Sequence, residues 1–340
     1  MSTCLKRAML VGASCVALAQ GAQAEEGRFS WEGEVEVGID SVFDSNVPGN
    51  EGKDPFLKVE VAAAFALSEY FSVFGGLTLE EMTGPSGSIE DLGLYVHELG
   101  FQFGNDRVTA RVGKITPSFG TAWDAAPGYF ASSLAEDYEL TEQVGATVDF
   151  AVGETGTLSV GLFYADDTSL SRSWGFNRGK NRTVLGGAGN TGRLDNGAIQ
   201  WMQELGSTTY HVGLRHLSKG TGDVKDETGV VAGVAHSFAE AGMPLELYAE
   251  VASFEGFGGS ADDAVYATLG SAYLLGDTAL SAAISHRDID NFGSTSIFSL
   301  GVDHEFENGI TIGGAIGRVD DVLGAEESIF GVSMVIPLGG

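Results

Sequence analysis

Five carboxylates, Asp124, Glu136, Asp137, Glu139 and Glu142, are gathered in one stretch, TPSFGTAWDAAPGYFASSLAEDYELTEQ, which runs from Thr116 to Gln143. Their chemistry is that of fixed negative charge. Spread over a solvated loop such groups do nothing specific, whereas an ordered set facing a passage ranks ions by sign. The stretch also carries aromatics, Trp123, Tyr129, Phe130 and Tyr138 among them, together with two prolines, and such residues argue against disorder. A loop of this length in an ordered protein is functional or disordered. It therefore reads as a long folded loop with one helical turn.

The remaining candidate chemistry is weaker. Gly187-Ala188-Gly189-Asn190-Thr191-Gly192 spells G-x-G-x-x-G, but no strand-to-helix context surrounds it, so a dinucleotide site is not expected. Asn181-Arg182-Thr183 matches a glycosylation sequon. The six histidines, His97, His211, His216, His236, His286 and His304, lie apart with no H-x-x-x-H spacing, so no metal centre is expected. No Ser-His-Asp arrangement follows from the spacings either, and neither an enzyme nor a cofactor is expected.

The start of the chain sets the compartment. Lys6 and Arg7 give a positive start, 8–19 is an apolar run and Ala22-Gln23-Ala24 is a small-x-small cleavage site, so residues 1–24 read as a secretory signal peptide and 25–340 as the mature chain. Cys4 and Cys15 both leave with the leader, so the exported chain is expected to have no disulfide and no thiolate nucleophile. No apolar run of about 20 residues follows, which excludes helical membrane spans. With 47 acidic and 18 basic residues the net charge is −29, which makes nucleic acid a poor partner. Yet 43% of the residues are hydrophobic and regularly spaced, unlike a disordered polyanion.

The elements that must hold the acidic stretch alternate with period two. In 29–43 the odd positions are Phe29, Trp31, Gly33, Val35, Val37, Ile39, Ser41 and Phe43, while Glu32, Glu34, Glu36 and Asp40 fall on the other face. Aromatics at both ends of an apolar row fit the two interfaces of a membrane. The same pattern predicts strands at 56–67, 71–80, 89–103, 107–115, 144–151, 157–165, 197–205, 208–217, 228–238, 244–254, 263–274, 278–287, 295–306, 310–318 and 328–338. A phase slip near His97–Leu99 predicts a β-bulge. Rows such as Leu280, Ala282 and Ile284 or Phe298, Leu300 and Val302 face one way, and Glu246 and Glu250 or Ser281 and Ser285 face the other. Carboxylates on the inner face require a wet lumen, since unpaired charge in a dry core is too costly. Short and long connections alternate, and an even number of strands can close with no unpaired edge in lipid.

In this architecture the chain resembles the sixteen-stranded general porins of Gram-negative outer membranes, most nearly the acidic, glycine-rich alphaproteobacterial, Rhodobacter-like type. The resemblance lies in the pattern of the whole mature chain. It implies an all-β, 16-stranded antiparallel transmembrane barrel with short periplasmic turns, longer extracellular loops and an inward-folded third loop at 116–143 that narrows the pore. It assigns Asp124, Glu136, Asp137, Glu139 and Glu142 to the acidic side of that narrowing. Lys58, Arg111, Arg215 and Arg287, with His211 added, are assigned to the facing basic wall. It further implies a homotrimer among outer-membrane lipid and lipopolysaccharide that passes small hydrophilic solutes by diffusion. Asp166-Asp167 and Asp262-Asp263 would either bind divalent ions jointly with lipopolysaccharide or serve as turn residues. The acid excess predicts a weak cation preference. A substrate-selective channel for a sugar, dicarboxylate or phosphate is the alternative, although few bases argue against phosphate. A barrel enzyme, or a barrel plugged by the loop at 166–196, ranks lower. Such proteins commonly end in an aromatic, whereas this chain ends Ile336-Pro337-Leu338-Gly339-Gly340 and its last aromatic is Phe330.

Overall fold

Strict alternation sends successive side chains to opposite faces of a strand, so a run of such strands needs two different media, one on each side. The computed structural model, which describes residues 28–82 and 89–339, meets this need with a closed cylinder. The leader expected at 1–24 lies outside the described residues. The strands are β1 (Phe29–Ser45), β2 (Gly52–Ala66), β3 (Phe71–Glu81), β4 (Leu92–Gly104), β5 (Val108–Ile115), β6 (Gln143–Val152), β7 (Gly156–Ala165), β8 (Ser173–Gly175), β9 (Asn196–Leu205), β10 (Thr208–Leu217), β11 (Glu227–Ser237), β12 (Leu245–Glu255), β13 (Ala264–Leu275), β14 (Thr278–Ile289), β15 (Gly293–Glu305), β16 (Thr311–Asp320) and β17 (Glu326–Gly339).

Sixteen of these form an antiparallel meander, and the short β8 is the extra strand. Each predicted segment has its counterpart. The seam closes where β17 pairs antiparallel with β1, from Glu32 opposite Gly339 to Ser45 opposite Glu327. The terminal Ile336–Gly339 segment is thus part of the seam itself, with no aromatic needed to pair it.

The predicted slip in β4 is real. Gly76 of β3 faces Glu98 and the next residue, Leu77, faces Val96, so His97 is the extra residue of a bulge. A second irregularity, at Phe43 between Val42 and Asp44 of β1, lies at the strand's end, where alternation gives little warning.

The outer surface is apolar: Leu162, Leu269, Leu280, Ile284, Phe298, Leu300 and Ile316 are all exposed. In water such a continuous patch would be a liability, and in lipid it is the required exterior. Trp31, Trp201, Tyr273 and Phe306 are exposed as well, toward the end with the short turns, where an interfacial belt belongs. On the inner face Glu246, Glu250, Ser281, Ser285 and Ser299 are buried, and a segment of the chain inside the barrel lies against Glu250, Ser281 and Ser285. No helix among the described residues is long and apolar enough to cross a membrane.

Candidate functional site: the lumenal loop

Between β5 and β6 the chain leaves the wall and turns into the cylinder. It forms one short helix, α1 (Ala122–Ala125), and one 3-10 turn (Ala135–Tyr138). Both are too short to be stable alone, so tertiary contacts must hold them. Most of those contacts are made with β9, β10, β12 to β14, β17 and β1, while the loop's entry, Thr116 and Pro117, meets Glu98 of β4 and Gly161 of β7.

An aromatic cluster supplies the apolar part. Phe119 and Tyr138 of the loop pack in tilted and edge-to-face contacts with each other, with Phe254 of β12 and with Tyr266 of β13, at ring separations of 5.2 to 6.3 Å. All four side chains are fully buried. These rings belong to the buried apolar cluster that the loop shares with the wall, and burying several of them is a large share of what holds the loop.

The polar part converges on Glu250 of β12. Its carboxylate accepts from the backbone N–H of Thr121 at 2.7 Å and of Ala122 at 3.2 Å, and from the hydroxyls of Tyr138 at 2.6 Å and Tyr248 at 2.9 Å. His211 Nε2 stands 2.6 Å from the same group. Further along, Tyr266 donates to Asp137 at 3.0 Å and Arg287 pairs with it at 2.6 Å. Ser285 donates to the carbonyl of Ala131 at 2.7 Å, and Tyr129 donates to Asp40 of β1 at 2.9 Å. Two glycines permit this close approach. A Cβ on Gly270 would lie 2.7 Å from the Pro127 ring, and one on Gly331 would collide with the ring of Tyr129.

The predicted residues therefore divide. Arg215 does not stand on an open wall. It is buried between the rings of Phe119 and Phe254, at 4.7 and 4.5 Å, pairs with Glu227 at 2.7 Å and donates to the carbonyl of Tyr138 at 2.6 Å. Arg287 is spent on Asp137, and His211 on Glu250. Arg111 donates to Gln102 at 3.0 Å and lies over Phe74. Glu142 is bound at the loop's exit by Lys114 at 2.6 Å and Arg178 at 2.5 Å.

That leaves Asp124, Glu136 and Glu139 on the free side of the loop, with Lys58 of β2 as the base they feel. Burial raises the Asp124 carboxyl to about 6, with the charge of Glu60 adding to the rise and Lys58 opposing it. Glu139 is raised to about 7 by burial first and then by neighbouring Glu136, again against Lys58. Burial also raises Glu136, with Ser132 and Lys58 holding it down. Lys58 itself pairs with Glu60 at 3.2 Å and keeps a side chain 39% exposed to the lumen.

Alternation alone missed Lys114 and the role of Glu250. Glu250 was legible as an inward carboxylate, but the convergence of loop donors on it was not. Lys114 shares the outward phase of Val112 and pairs opposite the outward Leu99, so nothing in the pattern marked it as internal. Among the described residues no group of three His, Cys, Asp or Glu is arranged to hold a metal ion.

No protein-family model matches this sequence, and no curated protein matches it significantly. Solved structures do. The outer membrane channel DcaP of Acinetobacter baumannii aligns over 91% of this chain and 97% of its own, with a TM-score of 0.66 at 12% identity. The anion-selective porin from Comamonas acidovorans aligns over 93% and 100%, with a TM-score of 0.62 at 12% identity. A mutant of the Rh. blastica porin aligns over 91% and 100%, with a TM-score of 0.59 at 16% identity. The fold is that of the outer-membrane porins. Identities this low fix the barrel fold and leave any selectivity to be argued from this chain's own residues.

Proposed function

We propose that this protein is a porin of a Gram-negative outer membrane that lets small hydrophilic solutes and ions diffuse passively, with a weak preference for cations. The apolar exterior, the polar interior and the porin fold support the membrane setting and the channel. The observation that carries the ion preference is the fate of the bases. Arg215 and Arg287 are consumed in fixing the loop, so Asp124, Glu136 and Glu139 meet Lys58 as their counter-charge, and Lys58 already pairs with Glu60. A ring of one sign concentrates the opposite ion and repels its own. The Comamonas neighbour is described as anion-selective, so the shared barrel does not decide the sign of the preference.

The acidic, glycine-rich composition supports the Rhodobacter-like subtype, and the general-porin resemblance supports a homotrimer, which cross-linking in detergent tests directly. The channel reading is tested in a planar bilayer under a KCl gradient. The reversal potential should have the sign of cation preference, and D124N/E136Q/E139Q should bring it close to zero or invert it. A wild-type protein that prefers chloride, or that shows no conductance, would refute the reading.

A further inference from the structure

The place where β5 leaves the wall is a gap that the barrel must fill. The top of β4, Leu92 to Tyr95, loses its partner there, and an unpaired edge in lipid is costly. The loop at 166–196 supplies a partner there. Its short strand β8 pairs antiparallel with that abandoned edge, Trp174 opposite Leu94 and Ser173 opposite Tyr95. Trp174 is exposed on the outside, as a wall residue at the interface would be.

Beneath this patch lies Lys114, 1% exposed at its side chain although it sits on the lipid-facing phase. Its ammonium is 2.6 Å from Glu142 and 2.9 Å from Asp166, and donates to the carbonyl of Leu170 at 3.1 Å. Arg178, just beyond β8, reaches the same Glu142 oxygen at 2.5 Å and lies over the Tyr95 ring at 4.3 Å. The N–H of Asp166 donates to the carbonyl of Glu142 at 3.0 Å. Glu142 holds a left-handed backbone, φ 53°, which a glutamate adopts only when its surroundings enforce it.

We infer that the 166–181 segment is a strap that mends the wall at the loop's departure and clamps the loop's exit arm, with Lys114 and Glu142 as positioning residues for Glu139. This rests on the porin reading for its consequence, ion preference, but not for its structural content. The strap reaches Glu142, and Glu142 lies three residues from Glu139, so a released exit arm displaces a charge of the narrowing.

The test uses K114M/E142Q/D166N, which removes the charges of Lys114 and of both its carboxylate partners together, so that of this cluster the more exposed Arg178 alone loses its ion pair. Amide hydrogen exchange over 139–143 in detergent should accelerate on the order of tenfold, the change made by losing one interaction of ordinary strength. The KCl reversal potential should shift in the same variant. The chain outside the leader has no cysteine, so L94C/W174C can form one unambiguous disulfide between β4 and β8. Oxidised in the triple-variant background, it should restore protection to 139–143, and reduction should remove it again. Should the triple variant fail to fold, E142G serves, because glycine accepts the backbone angle while both ion pairs are lost. Unchanged exchange in the triple variant or in E142G overturns the clamp, as does an oxidised disulfide that restores nothing. Exchange reads the strap even if the wild-type protein conducts no ions, so failure here and failure of the channel reading are separable.

Discussion

At the scale of single residues, the loop is held by acceptors and seated by glycines, and the proposed ion preference rests on its carboxylates Asp124, Glu136 and Glu139. Glu250 gathers donors from two loop backbone positions and two tyrosines. Substituting E250A leaves those groups buried and unpaired, so unfolding of the loop should become easier by about 3–5 kcal/mol. Hydrogen exchange at Thr121, Ala122 and the residues around Tyr138 reads this locally, and unchanged protection there would show that the aromatic cluster alone suffices. The carboxyls of Asp124 and Glu139, raised to about 6 and about 7, make a second prediction. Both are raised, so both are largely ionised above pH 7 and become neutral as the pH falls through 7 and then 6. Cation preference should therefore decline between pH 8 and pH 5, and D124N/E139Q should abolish most of that decline. The same sign applies to stability. The folded loop binds protons that the unfolded chain would release, so its stability rises as the pH drops through this window. A reversal potential that is flat from pH 8 to pH 5 would mean that these two carboxyls do not face the ion path.

At the scale of elements, what could be read from the chain depended on period. Strands that contact two media print an alternation long enough to see, as in β1 or β15, and even the bulge at His97 showed as a phase slip. The loop at 116–143 was legible by the failure of that alternation. What it rests on was not, because Glu250, Tyr266 and Arg215 reach it from strands that are distant in sequence. The strand β8 was invisible for another reason: Ser173–Gly175 is too short for a period, and its partner edge exists only because β5 ends early. Gly331 shows how element and loop are matched. Valine is ordinarily the better strand residue, yet G331V should displace the Tyr129 ring and break its hydrogen bond to Asp40. The expected result is an intact barrel with altered single-channel conductance. Conductance equal to wild type would show that the loop tip is not fixed at that wall.

At the scale of the whole molecule, the charge distribution separates two jobs that a count of residues merges. The net charge of −29 says only that cations are favoured somewhere around the protein. Of the four bases expected on the wall, Arg215 and Arg287 fasten the loop, Arg111 bonds Gln102 and lies over Phe74, and Lys58 stays partly exposed. A preference set by one narrow, partly desolvated group of carboxylates should respond to salt differently from one set by diffuse surface charge. The Debye length falls from about 10 Å at 0.1 M to about 3 Å at 1 M, so exposed charges at the rims are screened while partly buried ones are screened much less. The KCl preference should accordingly weaken but persist at 1 M. K58E should strengthen it at both concentrations, and D124N/E136Q/E139Q should remove what persists at 1 M. If wild-type preference instead vanishes at 1 M, the long extracellular loops, and not the narrowing, carry the field, and the free acids on the lumenal loop would have to be reassigned to holding its fold.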